Sequence, residues 1–173
     1  MKKIFLWTVA AAAMFAALLI VPGLLIPAEH VSMRSIHLEA SPSEVWAALT
    51  EFEQLPTWRS GIKRVDVDRS GEQMQIIERG EDRAMTFNVI AFEPNSLLKT
   101  EIADPDLPFS GTWTWELQPH GKGCALTITE NGTVKSPAMR TVTAVFMDPA
   151  DTQDQYLREL ADHFDDDAVP GPG

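Results

Sequence analysis

The stretch SMRSIHLEASPSEVWAALTEFEQLPTW, residues 32–58, decides how the rest of this 173-residue chain is interpreted. It begins within a predicted strand over Val31–Glu39, because Ile36 and Leu38 alternate with polar residues, as expected when one face of a strand is buried. A sequence typical of a helix start follows the strand at once. The stretch therefore joins the first strand of a sheet to a small helical unit.

Three residues that favour a helix N-terminus stand together at the start of that unit. Ser41 is a natural N-cap, Pro42 fits the first helical position, and Glu44 stands where a capping box has its acidic residue. The unit ends near Pro56, because a residue that precedes proline disfavours the helical conformation. Trp58 follows this turn, and we expect its ring to pack in the core rather than to bind a ligand.

Six further segments alternate apolar and polar residues and are separated by hairpin-length turns. This pattern predicts an antiparallel meander of short strands. The predicted strands are Lys63–Asp68, Glu72–Arg79, Ala84–Phe92, Leu97–Ala103, Ser110–Gln118 and Cys124–Thr133. Together with the first strand they form a sheet of about seven strands, with one apolar face that must be covered.

The hydrophobic period changes to that of a helix from Pro137 onward. Asp148 and Pro149 interrupt the pattern, so the C-terminal helix is predicted to be kinked or split at this point. Residues 166–173 are acidic and rich in proline and glycine, and we expect this tail to be disordered. One helix is narrow relative to such a sheet, which makes a largely apolar cavity between the two a natural outcome.

The N-terminal segment predicts a membrane anchor. Ile4–Ile26 is a continuous run of apolar, small or helix-breaking residues, and about 20 helical residues span a bilayer core. Lys2 and Lys3 precede the run, and the positive-inside rule keeps them in the cytoplasm, with the rest of the chain outside it (in the periplasm of a bacterium). The alternative is a cleaved signal sequence and a secreted domain. The expected organisation is an anchor or signal over 1–28, a domain over 29–165 and the tail.

Charge, cysteine and histidine content exclude several classes of protein and site. A net charge of −11 at pH 7 repels nucleic acid at long range. Cys124 stands alone, so neither an intrachain disulfide nor a cysteine-based metal site can form. The histidines His30, His37, His120 and His163 are scattered without the spacing of a metal site. We therefore expect no metal, no cofactor and no nucleic-acid partner.

The order of these elements, together with four short motifs, resembles the START-like (SRPBCC) superfamily, which includes Bet v 1-type proteins, lipid-transfer domains and polyketide cyclase-like proteins. The motifs are Ile36–Trp46, Leu55–Trp58, Phe92–Asn95 and Tyr156–Leu160, and the similarity extends over about residues 31–164. The resemblance implies an α+β helix-grip fold, in which a curved antiparallel sheet surrounds a long C-terminal helix. It also implies a cavity for a hydrophobic small molecule or lipid, but it does not imply one activity.

Apolar residues on the inward faces of the strands and of the helix are the candidate ligand-binding residues. Trp113 and Trp115 face the same side of one strand, where stacking on a ligand and plain core packing agree equally well with the pattern. The same two interpretations apply to the other candidates, which are Met74, Ile76, Met85, Phe87 and Val89 on the strands and Met139, Val142 and Phe146 on the helix side.

Four ionisable residues in the strand region are candidates for acid–base chemistry, namely His37, Glu78, Arg79 and Glu101. Strand alternation favours solvent-facing positions for such side chains, and no Ser-His-Asp or Cys-His arrangement is evident. The leading hypothesis is a non-catalytic, membrane-anchored protein that binds a lipid or another hydrophobic molecule. Two alternatives remain: a cyclase or dehydratase, which needs at least one of these side chains inside the cavity, and a protein-interaction module with a packed core.

Overall fold

The computed structural model describes residues 2–81 and 83–173, so Met1 and Asp82 lie outside the described residues. The side chains of Lys2 and Lys3, on which the predicted orientation in the membrane depends, also lie outside the description. In chain order, the elements are α1 Lys2–Leu25, β1 Glu29–Leu38, α2 Pro42–Thr50, a 3-10 helix Phe52–Thr57, β2 Arg64–Asp68, β3 Gln75–Arg79, β4 Ala84–Glu93, β5 Leu97–Ile102, β6 Phe109–His120, β7 Gly123–Val134, α3 Pro137–Phe146, α4 Pro149–His163 and β8 Gly171–Pro172.

The eight strands form one antiparallel sheet in the order β2-β3-β4-β5-β6-β7-β1-β8. Strands β2 to β7 are joined in sequence as the predicted meander, and β1 returns to pair with β7 along its full length, from Glu29 opposite Thr133 to Leu38 opposite Cys124. The predicted α+β helix-grip fold with about seven antiparallel strands is confirmed. The eighth strand is only two residues long.

The residues around Ser41 form the predicted capping box. Ser41 Oγ accepts a hydrogen bond from the backbone N–H of Glu44 at 3.4 Å, and the backbone N–H of Ser41 donates to Glu44 Oε2 at 2.8 Å. These reciprocal bonds satisfy two of the N–H groups that a helix start leaves unpaired. Helix α2 begins at Pro42 as a result, and it buries Val45, Trp46 and Leu49 against one end of the sheet.

The C-terminal helix is split rather than kinked. Asp148 is the N-cap of α4, its Oδ1 atom accepting a hydrogen bond from the N–H of Ala150 at 2.9 Å, and Pro149 takes the first helical position. Helix α4 lies against the sheet, where Leu157 and Leu160 are fully buried. Proline removes a backbone donor and ends the preceding helix, so the two halves are free to take different directions.

Helix α3 packs against α1. Thr141 Oγ1 donates a hydrogen bond to the carbonyl of Leu19 at 2.6 Å, and Arg140 Nη1 donates to the carbonyl of Gly23 at 3.5 Å. None of the residues of α3 is fully buried. The helix that was expected to cover the sheet over its whole length therefore covers it with its second half only.

Helix α1 is apolar and long enough over Leu6–Leu25 to cross a membrane, a property that signal sequences near an N-terminus share. Its large apolar side chains are mostly exposed, including Trp7 and Leu25. The helix therefore presents an apolar surface that water would solvate poorly.

The last eight residues, which we expected to be disordered, lie along β1 instead. The backbone N–H of Glu39 donates to Asp166 Oδ2 at 2.7 Å, Pro170 is buried, and Gly171 pairs with Ser35. Composition alone favoured disorder because the segment has little apolar area of its own. The free edge of β1 supplies the unpaired backbone groups that a short segment can pair with.

Candidate functional site

Alternate side chains of the strands line one face of the sheet, which we call the inner face, and α4 packs on it. Trp115 on β6 stands opposite Leu98 on β5 and Ile128 on β7, and these three side chains are buried. Tyr156 of α4 is buried against the same face and contacts the Trp115 ring. Period-two alternation thus brings side chains from distant parts of the sequence into one interior.

Four aromatic rings form a cluster at the centre of this interior. Trp113 and Trp115 lie on one strand with ring centroids 5.7 Å apart, and both contact Tyr156, at 6.1 Å and 6.0 Å. Trp58, which follows the 3-10 helix, meets Tyr156 edge to face at 5.4 Å. Such offset and edge contacts contribute beyond the apolar area that they bury. The cluster links α4 to the sheet and to the helical unit near the N-terminus of the domain.

An acidic and a basic side chain, Glu78 and Arg59, lie beside the aromatic cluster. Arg59 Nη1 is 3.6 Å from Glu78 Oε1, and the Arg59 guanidinium lies over the Tyr156 ring at 4.5 Å from its centroid. Burial raises the pKa of the Glu78 carboxyl, and the neighbouring Arg59 charge opposes that change. Burial also raises the pKa of the Tyr156 hydroxyl, which keeps it neutral at physiological pH. The interior thus holds a carboxyl group with a raised pKa beside an apolar surface.

Two hydrogen-bond donors of the same region have no partner among the described residues. They are the buried Nε of Arg59 and the buried indole Nε1 of Trp115. A buried polar group without a partner is uncommon and costs free energy. Both side chains contact Tyr156, so these two donors lie within the packed aromatic cluster.

A polar network ties α4 to β1 at the side of the cluster. Arg34 holds Asp154 through two hydrogen bonds of 2.5 and 2.7 Å, which is the bidentate geometry typical of arginine and carboxylate. Gln153, which is fully buried, accepts from Ser32 Oγ at 2.6 Å and donates to the Ile128 carbonyl at 3.3 Å. Each buried polar atom named here has a partner, which indicates that this network positions α4.

Part of the inner face remains accessible. Met85, Phe87, Ile102 and Trp113 are half-buried around Glu78, and they lie toward the strand ends at which β1 begins. We call this region the open end of the inner face. At the other end, α2 packs on the sheet, so that region is closed.

Seven of the predicted ligand-binding residues share the inner face, and the other three do not. The first group is Met74, Ile76, Met85, Phe87, Val89, Trp113 and Trp115. The second group is Met139, Val142 and Phe146, which lie on α3 beside α1, because the break at Pro149 directs α3 away from the sheet. Phe146 is 79% exposed.

The four acid–base candidates also separate into those at the surface and one on the inner face. Arg79 is bonded to Asp66 at the protein surface, and Glu101 and His37 are exposed, as the alternation predicted. Glu78 is the exception, since it follows Ile76 by two residues and shares its face. The alternation of Met74, Ile76 and Glu78 already placed Glu78 on the apolar face of its strand. The turn that follows the strand favoured a solvent-exposed position in the sequence analysis. Sequence reasoning gave no role to Arg59 and used Tyr156 only as part of a family motif.

Two open surface clefts of about 400 Å³ each have other linings. One lies between α2, the 3-10 helix and the end of α4, where the rings of Trp58 and His163 stack at 5.8 Å. The other has a polar lining near the turn between β2 and β3. No three His, Cys, Asp or Glu side chains within the described ranges lie close enough together to hold a metal ion.

Comparisons with known proteins identify the family of this chain and structures with a similar fold. Residues 30–165 match the family described as "Polyketide cyclase / dehydrase and lipid transport". No curated protein sequence matches the chain. Among solved structures, norcoclaurine synthase from Thalictrum flavum is 14% identical with a TM-score of 0.63, the match covering 84% of this chain and 91% of that one.

Two further structures have the same fold. The protein MLL2253 from Mesorhizobium loti is 21% identical with a TM-score of 0.58, over 79% of this chain and 97% of that one. The di-domain ARO/CYC StfQ from the steffimycin biosynthetic pathway is 12% identical with a TM-score of 0.59, over 77% of this chain. The match spans about half of that longer protein, 49% of its length. The family match over residues 30–165 confirms the superfamily resemblance that the four motifs suggested, and the solved structures show the same fold.

Proposed function

The chain belongs to the polyketide cyclase / dehydrase and lipid transport family, and from this premise we propose that it binds a lipid or another hydrophobic small molecule on the inner face of its sheet. The observation that carries the proposal is the open end of the inner face. Apolar side chains there are left half-exposed next to the aromatic cluster, although the rest of the face is packed under α2 and α4. Accessible apolar surface with few polar groups beside it is typical of small-molecule binding.

We further propose that α1 holds this domain on a membrane and outside the cytoplasm. The support is the apolar span Leu6–Leu25 and the two lysines that precede it. A domain held in this way stays close to a source of apolar ligands. The acidic surface of the domain would be repelled by anionic headgroups, so its charge does not attract it to a membrane. The anchor would supply that attachment instead.

Native mass spectrometry of the full chain, purified from cell membranes in mild detergent, tests ligand binding. We expect a co-purifying apolar compound in the wild-type chain. Trp113→Ala, which removes a half-buried ring from the inner face, should lose it. Ile90→Ala is the matched control, because Ile90 is an exposed apolar residue of β4. A wild-type chain that carries nothing from any host membrane, or equal loss in the two variants, would contradict the proposal.

A second function, proton transfer on the bound molecule, is favoured by one observation: Glu78 faces the interior with a raised pKa. A carboxyl group in an apolar site can donate or accept a proton near neutral pH, as a cyclase or dehydratase requires. Glu78→Gln keeps the size of the side chain but cannot transfer a proton in this way. In an enzyme, this variant would co-purify with the unreacted precursor, whereas the same compound in both proteins would indicate binding without catalysis.

A further inference from the structure

The open end of the inner face is fixed to the end of α1. Only residues 26–28 separate Leu25 at the end of α1 from Glu29 at the start of β1. The backbone N–H of Val134, at the end of β7, donates to the Ala28 carbonyl at 2.8 Å, so even this short connection is tied to the sheet. The strand ends near α1 are therefore held close to the point where the predicted span leaves the membrane.

Helix α3 runs antiparallel to α1 from that point. Gly23 lies against Pro137 at the start of α3, and Leu19 lies against Thr141 one turn later. The close approach depends on glycine, because a Cβ atom at position 23 would lie 1.7 Å from the Pro137 carbonyl oxygen. As α3 continues, it passes alongside residues of α1 that are progressively closer to the middle of the span.

The end of α3 is an apolar tip without a protein partner among the described residues. Val145, Phe146 and Met147 are 67%, 79% and 64% exposed, and residues 141–147 carry no charge. Consecutive exposed large apolar side chains are unusual on a surface that faces water. We define the apolar tip as Val145–Met147. It lies next to α1, and both surfaces are exposed and apolar.

We propose that the apolar tip inserts into the outer layer of the bilayer that α1 crosses, as a second membrane contact. This inference rests on the proposed anchoring by α1. Helix α1 has 24 residues and is about 36 Å long, about 6 Å more than a bilayer core, so its last turn can lie in the interfacial region. Thr141 then lies near the boundary of the core, and the tip enters to the shallow depth that interfacial helices reach, about 5–10 Å.

Asp148 limits the depth of insertion. Its carboxylate follows the tip directly and is already bonded to the N-terminus of α4, whose partial positive charge stabilises it, so a deeper position of the tip would carry this charge further into the bilayer. Two contacts with the bilayer, α1 and the tip, would restrict the rotation of the domain on the membrane. They would turn the open end of the inner face toward the lipid, so the ligand reaches the site from the bilayer with little exposure to water.

Site-specific fluorescence of the full chain in phosphatidylcholine liposomes tests this contact. Phe146→Cys, in a Cys124→Ser background, carries the environment-sensitive dye NBD on the tip. Lys122→Cys, in the exposed turn between β6 and β7 at the opposite end of the sheet, is the matched control. Phe15→Cys reports on α1, and Met147→Cys repeats the tip measurement at a second exposed position.

We expect lipid-borne nitroxides to quench the labels at 146 and 147 several-fold more than the label at 122, and shallow nitroxides to quench them more than deep ones. Quenching at 15 but not at 146 or 147 would overturn the tip contact and leave the anchor intact. No quenching at any position would overturn the anchor, and the tip contact with it. A blue-shifted label at 146 without lipid quenching would mean that a protein covers the tip, and this also overturns the proposal.

Discussion

Arg59 Nη1 lies 3.6 Å from Glu78 Oε1, and both side chains are about four-fifths removed from solvent. The two residues are 19 positions apart in sequence, with strand β2 between them, and they meet because the segment after the 3-10 helix passes the inward face of β3. A carboxyl and a guanidinium in such a setting affect both the stability of the domain and any chemistry that it performs.

The raised pKa of Glu78 makes the stability of the domain depend on pH. The native state retains a proton that the unfolded chain releases above the ordinary pKa of 4.5. The free energy of unfolding should therefore fall as pH rises from this value through the raised pKa, and then level off. Glu78→Gln should flatten the dependence in denaturant titrations over that range, and the exposed control Glu101→Gln should not. Equal slopes in the two variants would rule out the assignment.

The ring of Tyr156 should contribute strongly to the free energy of unfolding. It is 3% exposed and contacts three tryptophan rings, so Tyr156→Ala should lower the free energy of unfolding by roughly 3–5 kcal/mol. Tyr156→Phe keeps the ring contacts and should cost much less. Thr152→Ala, at an exposed position of the same helix, should change stability by no more than about 0.5 kcal/mol. Thermal and denaturant unfolding provide the comparison, and equal losses for Ala and Phe would contradict it.

Arg34 and Asp154 should be energetically coupled. Removing either partner alone leaves the other without its bidentate contact, and Asp154 is 9% exposed. In a double-mutant cycle of alanine substitutions, the double variant should be clearly more stable than the sum of the two single losses predicts. The pair Lys63–Glu81, which is largely exposed, is the control and should show coupling near zero. Additive losses for Arg34 and Asp154 would refute the coupling.

The tail should protect the edge of β1. Truncation after Asp165 removes the carboxylate of Asp166 that accepts from the Glu39 N–H, together with the pairing of Gly171. Hydrogen exchange at Glu39 should accelerate, and the exposed edge should promote self-association. Val169→Ala, at an exposed tail residue, should leave exchange unchanged. Unaltered exchange in the truncated chain would mean that the tail does not hold this position in solution.

Gly23 should be essential for the packing of α3 on α1. Gly23→Leu places atoms where the Pro137 carbonyl lies, whereas Gly171→Ala meets nothing within 4 Å and is the control. With cysteines at positions 19 and 141 in a Cys124→Ser background, disulfide formation should be efficient in the parent and the control but poor in Gly23→Leu. Efficient cross-linking in Gly23→Leu would disprove the close approach.

Local chemistry was enough to predict much of this fold. The capping box at Ser41 and Glu44 and the helix start at Asp148 and Pro149 depend on neighbouring residues only, so the sequence contains them in full. Strand alternation likewise places Trp113 and Trp115 on one face, because successive side chains of any strand point to opposite sides. These features determined the order of elements and, through it, the family.

The tertiary structure alone decided which residues meet. Burial raises the pKa of Glu78, and the charge of Arg59 acts against that change; strand periodicity can identify neither the burial nor this neighbour. Met139, Val142 and Phe146 have the helical spacing of a helix that covers a sheet, yet α3 packs on α1, which offers an apolar surface at the same end of the domain. The tail pairs with the free edge of β1. Each outcome depends on competition between surfaces that are distant in sequence, and only the folded chain brings those surfaces together.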